Sequence, residues 1–130
     1  MLSGSVENSS VSVLHYIEAS GDVSIGANSI IAGRSSQFFT HGIRPDKLDD
    51  VSPIVIGDWC YVGSAARFLP GSGLADHCFL GMGAVVTRRF ENGYMLLGGC
   101  PAKEIKPLPE DSVFFDRPHL PQPHHVTRND

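Results

Sequence analysis

Large apolar residues recur at every sixth position between Ile56 and Thr87. Cut into hexads, the stretch reads IGDWCY VGSAAR FLPGSG LADHCF LGMGAV VT. The first positions are Ile56, Val62, Phe68, Leu74, Leu80 and Val86. The second positions are mostly small, and the fifth positions are always small: Cys60, Ala66, Ser72, Cys78 and Ala84. A helix repeats its apolar face every three or four residues and a lone strand every two. A period of six suits neither as one continuous element. It suits a coil of short strands joined by tight corners, where one large side chain per strand points to the axis and small ones fit beside it. The pattern predicts an all-β solenoid.

The same phase extends upstream through Ile25 and Ile31, with Ser29 and Ser35 in the fifth position, and then to Ala19 and Val13. About three to four coils are expected, with end coils whose unpaired strand edges need covering. Residues 1–10 read as a lead-in and residues 11–106 as the coiled domain. The phase fades through GRSSQFFTHG, and residues 42–53, rich in charge and containing Pro45 and Pro53, read as a loop leaving the coil. Loops on a rigid scaffold are where chemistry tends to sit. Beyond Thr87 the sequence predicts a strand over Tyr94–Leu97, a break at Gly98-Gly99, and one or two helical turns over Ala102–Lys106. Residues 107–130 read as a Pro/His-rich tail, either disordered or laid over a neighbouring surface, and Phe114 and Phe115 favour the docked form.

Composition narrows the function classes. At 130 residues, 18% charged and net charge -4, the chain is one ordinary globular domain without the basic face of a nucleic-acid binder. No run approaches the ~18 apolar residues of a membrane span, and the first ten residues lack the basic-then-apolar pattern of a secretory signal. A cytoplasmic protein is expected. The three cysteines show no metal-ligand spacing, so no metal is expected. Cys60 and Cys78, 18 residues apart, are expected to stack in adjacent coils as reduced core residues.

The hexads, together with the blocks IVIGDWCYVGSAARFLPG, GMGAVVTRRF and GGCPAKEIK, resemble the hexapeptide-repeat acyltransferases, in particular the maltose, galactoside and other sugar O-acetyltransferases. The resemblance covers roughly Ile25 to Lys106. It implies a left-handed parallel β-helix with three parallel sheets, and a homotrimer with active sites in the clefts between subunits. It also implies acetyl-CoA as donor and a small sugar-like or xenobiotic acceptor carrying a hydroxyl or amine.

Acyl transfer needs a base for the acceptor's proton, a donor for the oxyanion and a groove for the coenzyme. His41, just before the irregular loop, is the candidate base, because an imidazole exchanges protons near neutral pH. Taken alone, a histidine beside a glycine reads as a turn residue; the resemblance gives it the catalytic role. By the same resemblance the backbone at Gly63-Ser64 and Gly81-Met82 lies along the pantetheine, with Ser64 facing the thioester oxygen. Thr87 and Arg88 stand toward the nucleotide end, and Lys103 and Lys106 toward its phosphates; without the resemblance these charges read as a solvated face. Tyr61 and Trp59 are the candidates to line the acceptor site. His77, in a fourth hexad position, is expected to face solvent, and His119, His124 and His125 show no ligand spacing. Two other readings stay open. One is a non-catalytic coiled subunit. The other is a γ-type carbonic anhydrase, although its zinc histidines have no counterpart in GSAARFLPG at Gly63–Gly71.

Overall fold

The computed structural model describes residues 8–117 and the backbone of residues 2 and 3. The chain winds past three sheets in a fixed order. A first turn is β1 (Leu2–Ser3), β2 (Ser10–Val11) and β3 (Tyr16–Glu18). A second is β4 (Val23–Ile25), β5 (Ile30–Ile31) and β6 (Gln37–Phe39). The hairpin β7 (His41–Arg44) and β8 (Lys47–Val51) then leaves the coil. Winding resumes with β9 (Ile54–Ile56), β10 (Tyr61–Val62) and β11 (Arg67–Phe68), then β12 (Gly73–Leu74), β13 (Cys78–Leu80) and β14 (Val85–Val86). Finally β15 (Met95–Gly98) returns antiparallel as β16 (Lys103–Pro107), followed by a 3-10 turn at Val113–Asp116. Sheet A has the order β1-β4-β9-β12, sheet B β16-β15-β13-β10-β5-β2, and sheet C β14-β11-β6-β3. All pairings within them are parallel except β15 with β16.

The hexads set this register. Val55 pairs with Gly73, Tyr61 with Phe79 and Arg67 with Val85, each 18 residues apart, so three hexads complete one turn. Every first-position residue from Ile56 to Val86 is at most 2% exposed, and every fifth-position residue is fully buried. The interior is therefore a column of large side chains flanked by small ones, with Phe38 and Phe68 stacked at 4.8 Å. Cys60 and Cys78 lie in this core, and burial pushes the Cys78 thiol up to about 11. The stack expected of them is observed.

Four expectations are corrected. Between Ile31 and Phe38 the phase slips: an added corner residue, Ser35 at φ +68°, leaves Ser36 rather than Ser35 in the core and makes Phe38 the next buried strand residue. Val13 and Ala19 face solvent, and Val11 and Ile17 take the register positions opposite Ile31 and Phe38. Residues 1–10 contribute two short strands to the coil. Residues 42–53 are largely an antiparallel hairpin, because Pro45 sits outside the ladder at the turn while Lys47–Val51 pair back on His41–Arg44. Residues 102–106, expected as helix, are mostly the strand β16. It covers the open edge of β15, a need that outweighs local helix propensity. The tail histidines His119, His124 and His125 lie outside the described residues.

Candidate active site

Sheet B turns into sheet C at a stack of corners that carry Gly33, Ser64-Ala65 and Met82-Gly83. Ala65 N–H bonds to Arg34 O and Gly83 N–H to Ser64 O, both at 2.9 Å, so successive corners are tied into one column. Beside it, the outward side chains of sheet B form a floor of Tyr61, Phe79 and Leu96. Column and floor enclose a groove of about 240 Å³ that includes Gly63, Ser64, Gly81 and Met82. Gly63 permits close stacking, since a Cβ there would meet Met82 N at 2.7 Å. The four groove glycines and neighbours picked out by sequence thus come together, with Tyr61 in the floor. Phe79 and Leu96 were missed, although the 18-residue register from Tyr61 points to the first of them.

His41 stands elsewhere, at the corner between sheets C and A. Its neighbour Thr40 is fully buried and fixes the root of the hairpin. The Thr40 hydroxyl lies 2.8 Å from the backbone and side-chain oxygens of Glu18 and accepts from Gly21 N–H at 2.8 Å. Hydrogen bonds from Ser20 first, then Thr40, hold the Glu18 carboxyl below the usual carboxylate range. From this root His41 projects into solvent, and its Nε2 lies 3.2 Å from Oδ1 of Asp49 on the facing strand. Asp49 carried no sequence signal, because only the hairpin register puts it beside His41. Within one chain, then, His41 and the groove occupy different prism corners, separated by the width of sheet C.

The remaining candidates divide. Thr87 lines a second cavity of about 230 Å³ beneath the hairpin, with Gly42, Arg44, Asp50, Leu69 and Pro70, and is not part of the groove. Asp50 is 8% exposed there and faces Ser52 at 3.2 Å and Lys47 Nζ at 3.8 Å. Arg88 lies over the ring of Phe90 at 3.9 Å. Lys103 and Lys106 are exposed on β16, and Lys106 is the register partner of the floor residue Leu96.

Trp59 is drawn into a different structure. Asn28, Trp59, His77 and Tyr94 all occupy the left-handed region at successive corners between sheets A and B, at φ between +52° and +61°. Such a conformation costs about 1–2 kcal/mol per residue, and ring stacking offsets part of it at about 0.5–1.5 kcal/mol per pair. His77 stacks on Trp59 at 6.4 Å and on Tyr94 at 4.4 Å. The solvent-facing position expected for His77 is corrected: it is half-buried in this ladder, because the corner conformation lays each ring over the next. The tail packs here as well. Phe115 meets His77 and Tyr94 edge-on, and Arg117 lies over Trp59 at 4.9 Å. Trp59 is therefore turned away from the groove. Among the described residues no three His, Cys, Asp or Glu side chains gather as a metal site, and no helix is long and apolar enough to cross a membrane.

Comparison with known proteins places this architecture. The sequence matches no family model. It is 39% identical over 95 residues to a Dictyostelium discoideum protein named, by inference, as an acetyltransferase; the match covers 69% of this chain and 50% of that protein. The chain thus spans about half the length of that relative. A hexapeptide-repeat acetyltransferase of Vibrio cholerae superposes with a TM-score of 0.67 at 21% identity, over 82% of this chain and 73% of the other. A galactoside acetyltransferase in complex with coenzyme A gives 0.67 at 20% identity, over 85% and 67%. At these identities the likeness establishes the fold: this chain is a parallel β-helix of the left-handed type that hexapeptide-repeat acetyltransferases share.

Proposed function

We propose that the protein transfers an acetyl group from acetyl-CoA to a hydroxyl or amine of a small, sugar-like or xenobiotic acceptor, with His41 as general base. One observation carries the reading: a pantetheine-sized groove lies along the corner at Ser64 and Met82, on a fold whose solved examples include a coenzyme A complex. The N–H groups of Ser64 and Met82 have no partner among the described residues, which suits them to amide and carbonyl oxygens of the arm. Ser64 N–H is the candidate donor to the thioester oxygen.

In this reading His41 takes the acceptor's proton as the acceptor attacks the thioester carbon. The resulting oxyanion collapses, the carbon–sulfur bond breaks, and the imidazolium returns its proton to the departing thiolate. Asp49 on Nε2 fixes the ring, leaving Nδ1 for the acceptor. Because base and groove stand at different corners of one prism, the complete site requires a second copy. A cyclic trimer, with each copy lending its hairpin to a neighbour's groove, satisfies that requirement. Lys103, Lys106 and Arg88 are proposed for the nucleotide end, and Tyr61 for the acceptor side of the groove.

The test is acetyl-CoA thiol release across sugars, amino sugars and amine-bearing antibiotics. His41→Ala should lower turnover at least ~10²-fold while coenzyme binding persists. Undiminished turnover in that variant would show that another group is the base.

A further inference from the structure

We infer that the C-terminal segment Val113–Arg117 forms the second wall of the coenzyme groove, with Phe114 a positioning residue for the pantetheine arm; this rests on the acyl-transfer reading above. The groove has the Ser64–Met82 corner on one side and the rings of Tyr61 and Phe79 as its floor. On the other side of that floor stands Phe114. Its ring meets Phe79 edge-on at 4.8 Å and 81°, and Tyr61 at 6.3 Å and 85°.

Tyr61 and Phe79 lie on the outer face of sheet B, where rings without neighbours would be free to change rotamer. The edge contacts from Phe114 hold both rings in the stacked pair seen at 5.2 Å, so the floor is formed before a ligand arrives. Phe114 is held in turn. Arg117 covers its ring at 3.9 Å, donates to Phe114 O at 2.7 Å, and donates to Asn28 O on the coil at 2.6 Å. Phe115 anchors the segment on Phe79 and Tyr94, at 5.9 Å and 5.3 Å. Leu108 N–H bonds to Tyr94 O at 2.7 Å and fixes the start of the excursion. The segment is thus tied to two prism features at once, the corner ladder and the groove floor.

The experiment measures coenzyme A affinity by calorimetry and the steady-state constants for acetyl-CoA in the wild type, Phe114→Ala, Phe114→Tyr and Arg117→Ala. Trp59, the single tryptophan, reports tail docking by its emission, since Arg117 lies on its ring. Phe114→Ala is expected to weaken coenzyme binding and raise KM about tenfold, the equivalent of ~1.4 kcal/mol, with kcat unchanged. Phe114→Tyr should restore both. Arg117→Ala, which leaves the groove-side ring in place, should shift Trp59 emission and weaken binding in the same direction, and it carries the test if Phe114→Ala does not fold. Unchanged affinity in Phe114→Ala, or a fall in kcat with KM unaltered, overturns the inference alone. A wild-type chain that binds no coenzyme A overturns the acyl-transfer reading and the inference with it.

Discussion

His41 and Asp49 face each other across the β7–β8 hairpin, with Nε2 and Oδ1 3.2 Å apart. The pair is solvent-exposed, 42% and 82% for the two side chains, so its energy is small. Exposed ion pairs contribute about 0.2–1 kcal/mol. In the proposed reaction its role is orientation. Asp49→Asn is expected to lower kcat/KM by roughly two- to fivefold, because the ring loses the carboxylate that holds its Nε2 side in place. Stopped-flow thiol release checks this.

Two glycines in the groove differ in what they permit. A Cβ on Gly63 would lie 2.7 Å from Met82 N, a backbone atom that cannot swing aside. A Cβ on Gly81 would find its nearest neighbour, Leu97 O, at 3.7 Å. Gly63→Ala is therefore expected to destabilise the fold by about 1–3 kcal/mol, and Gly81→Ala to leave the melting temperature unchanged. Thermal unfolding of the two variants side by side is the check.

The hexads made the interior legible from Ile56 to Val86, because one slot in six can hold only what fits the axis. They were less informative near Ser35, where one residue added at a corner shifts the phase and nothing in a polar GRSSQ run marks the insertion. Gly63, Ser64, Gly81 and Met82 were singled out by the family resemblance, and corners in fixed register bring them to one groove. Asp49 was not, and of Phe114 the sequence suggested docking but not its place at the groove floor. Each reaches its position through contacts between segments far apart in the repeat's own logic, one across a hairpin and one from a tail. Residues 102–106 misled because short-range propensity says nothing about a sheet edge that needs a partner.

His15 is expected to give the first turns a pH dependence. Its Nδ1 accepts from Ser36 N–H at 3.1 Å, so Nε2 carries the proton and donates to Ser12 Oγ at 3.1 Å. Burial lowers its pKa, opposed by a weaker backbone contact with Ile31. The folded state therefore favours the neutral ring. Its contribution to stability is complete above the ordinary imidazole pKa and is lost as pH falls from there through the lowered folded value. Protonation puts a second donor against Ser36 N–H. Amide exchange at Ser36 and Gln37 should accelerate on acidification, after correction for intrinsic rates, and His15→Gln should abolish the dependence.

The composite site is tested most directly by complementation. His41→Ala removes the proposed base and spares the groove; Gly81→Leu is designed to fill the groove and spare the hairpin. Each alone should be inactive. Co-expressed at equal levels, random assembly pairs an intact hairpin with an intact groove in about a quarter of the sites, so thiol release should return to roughly that fraction of wild type. A mixed oligomer no more active than either parent would contradict a site shared between copies.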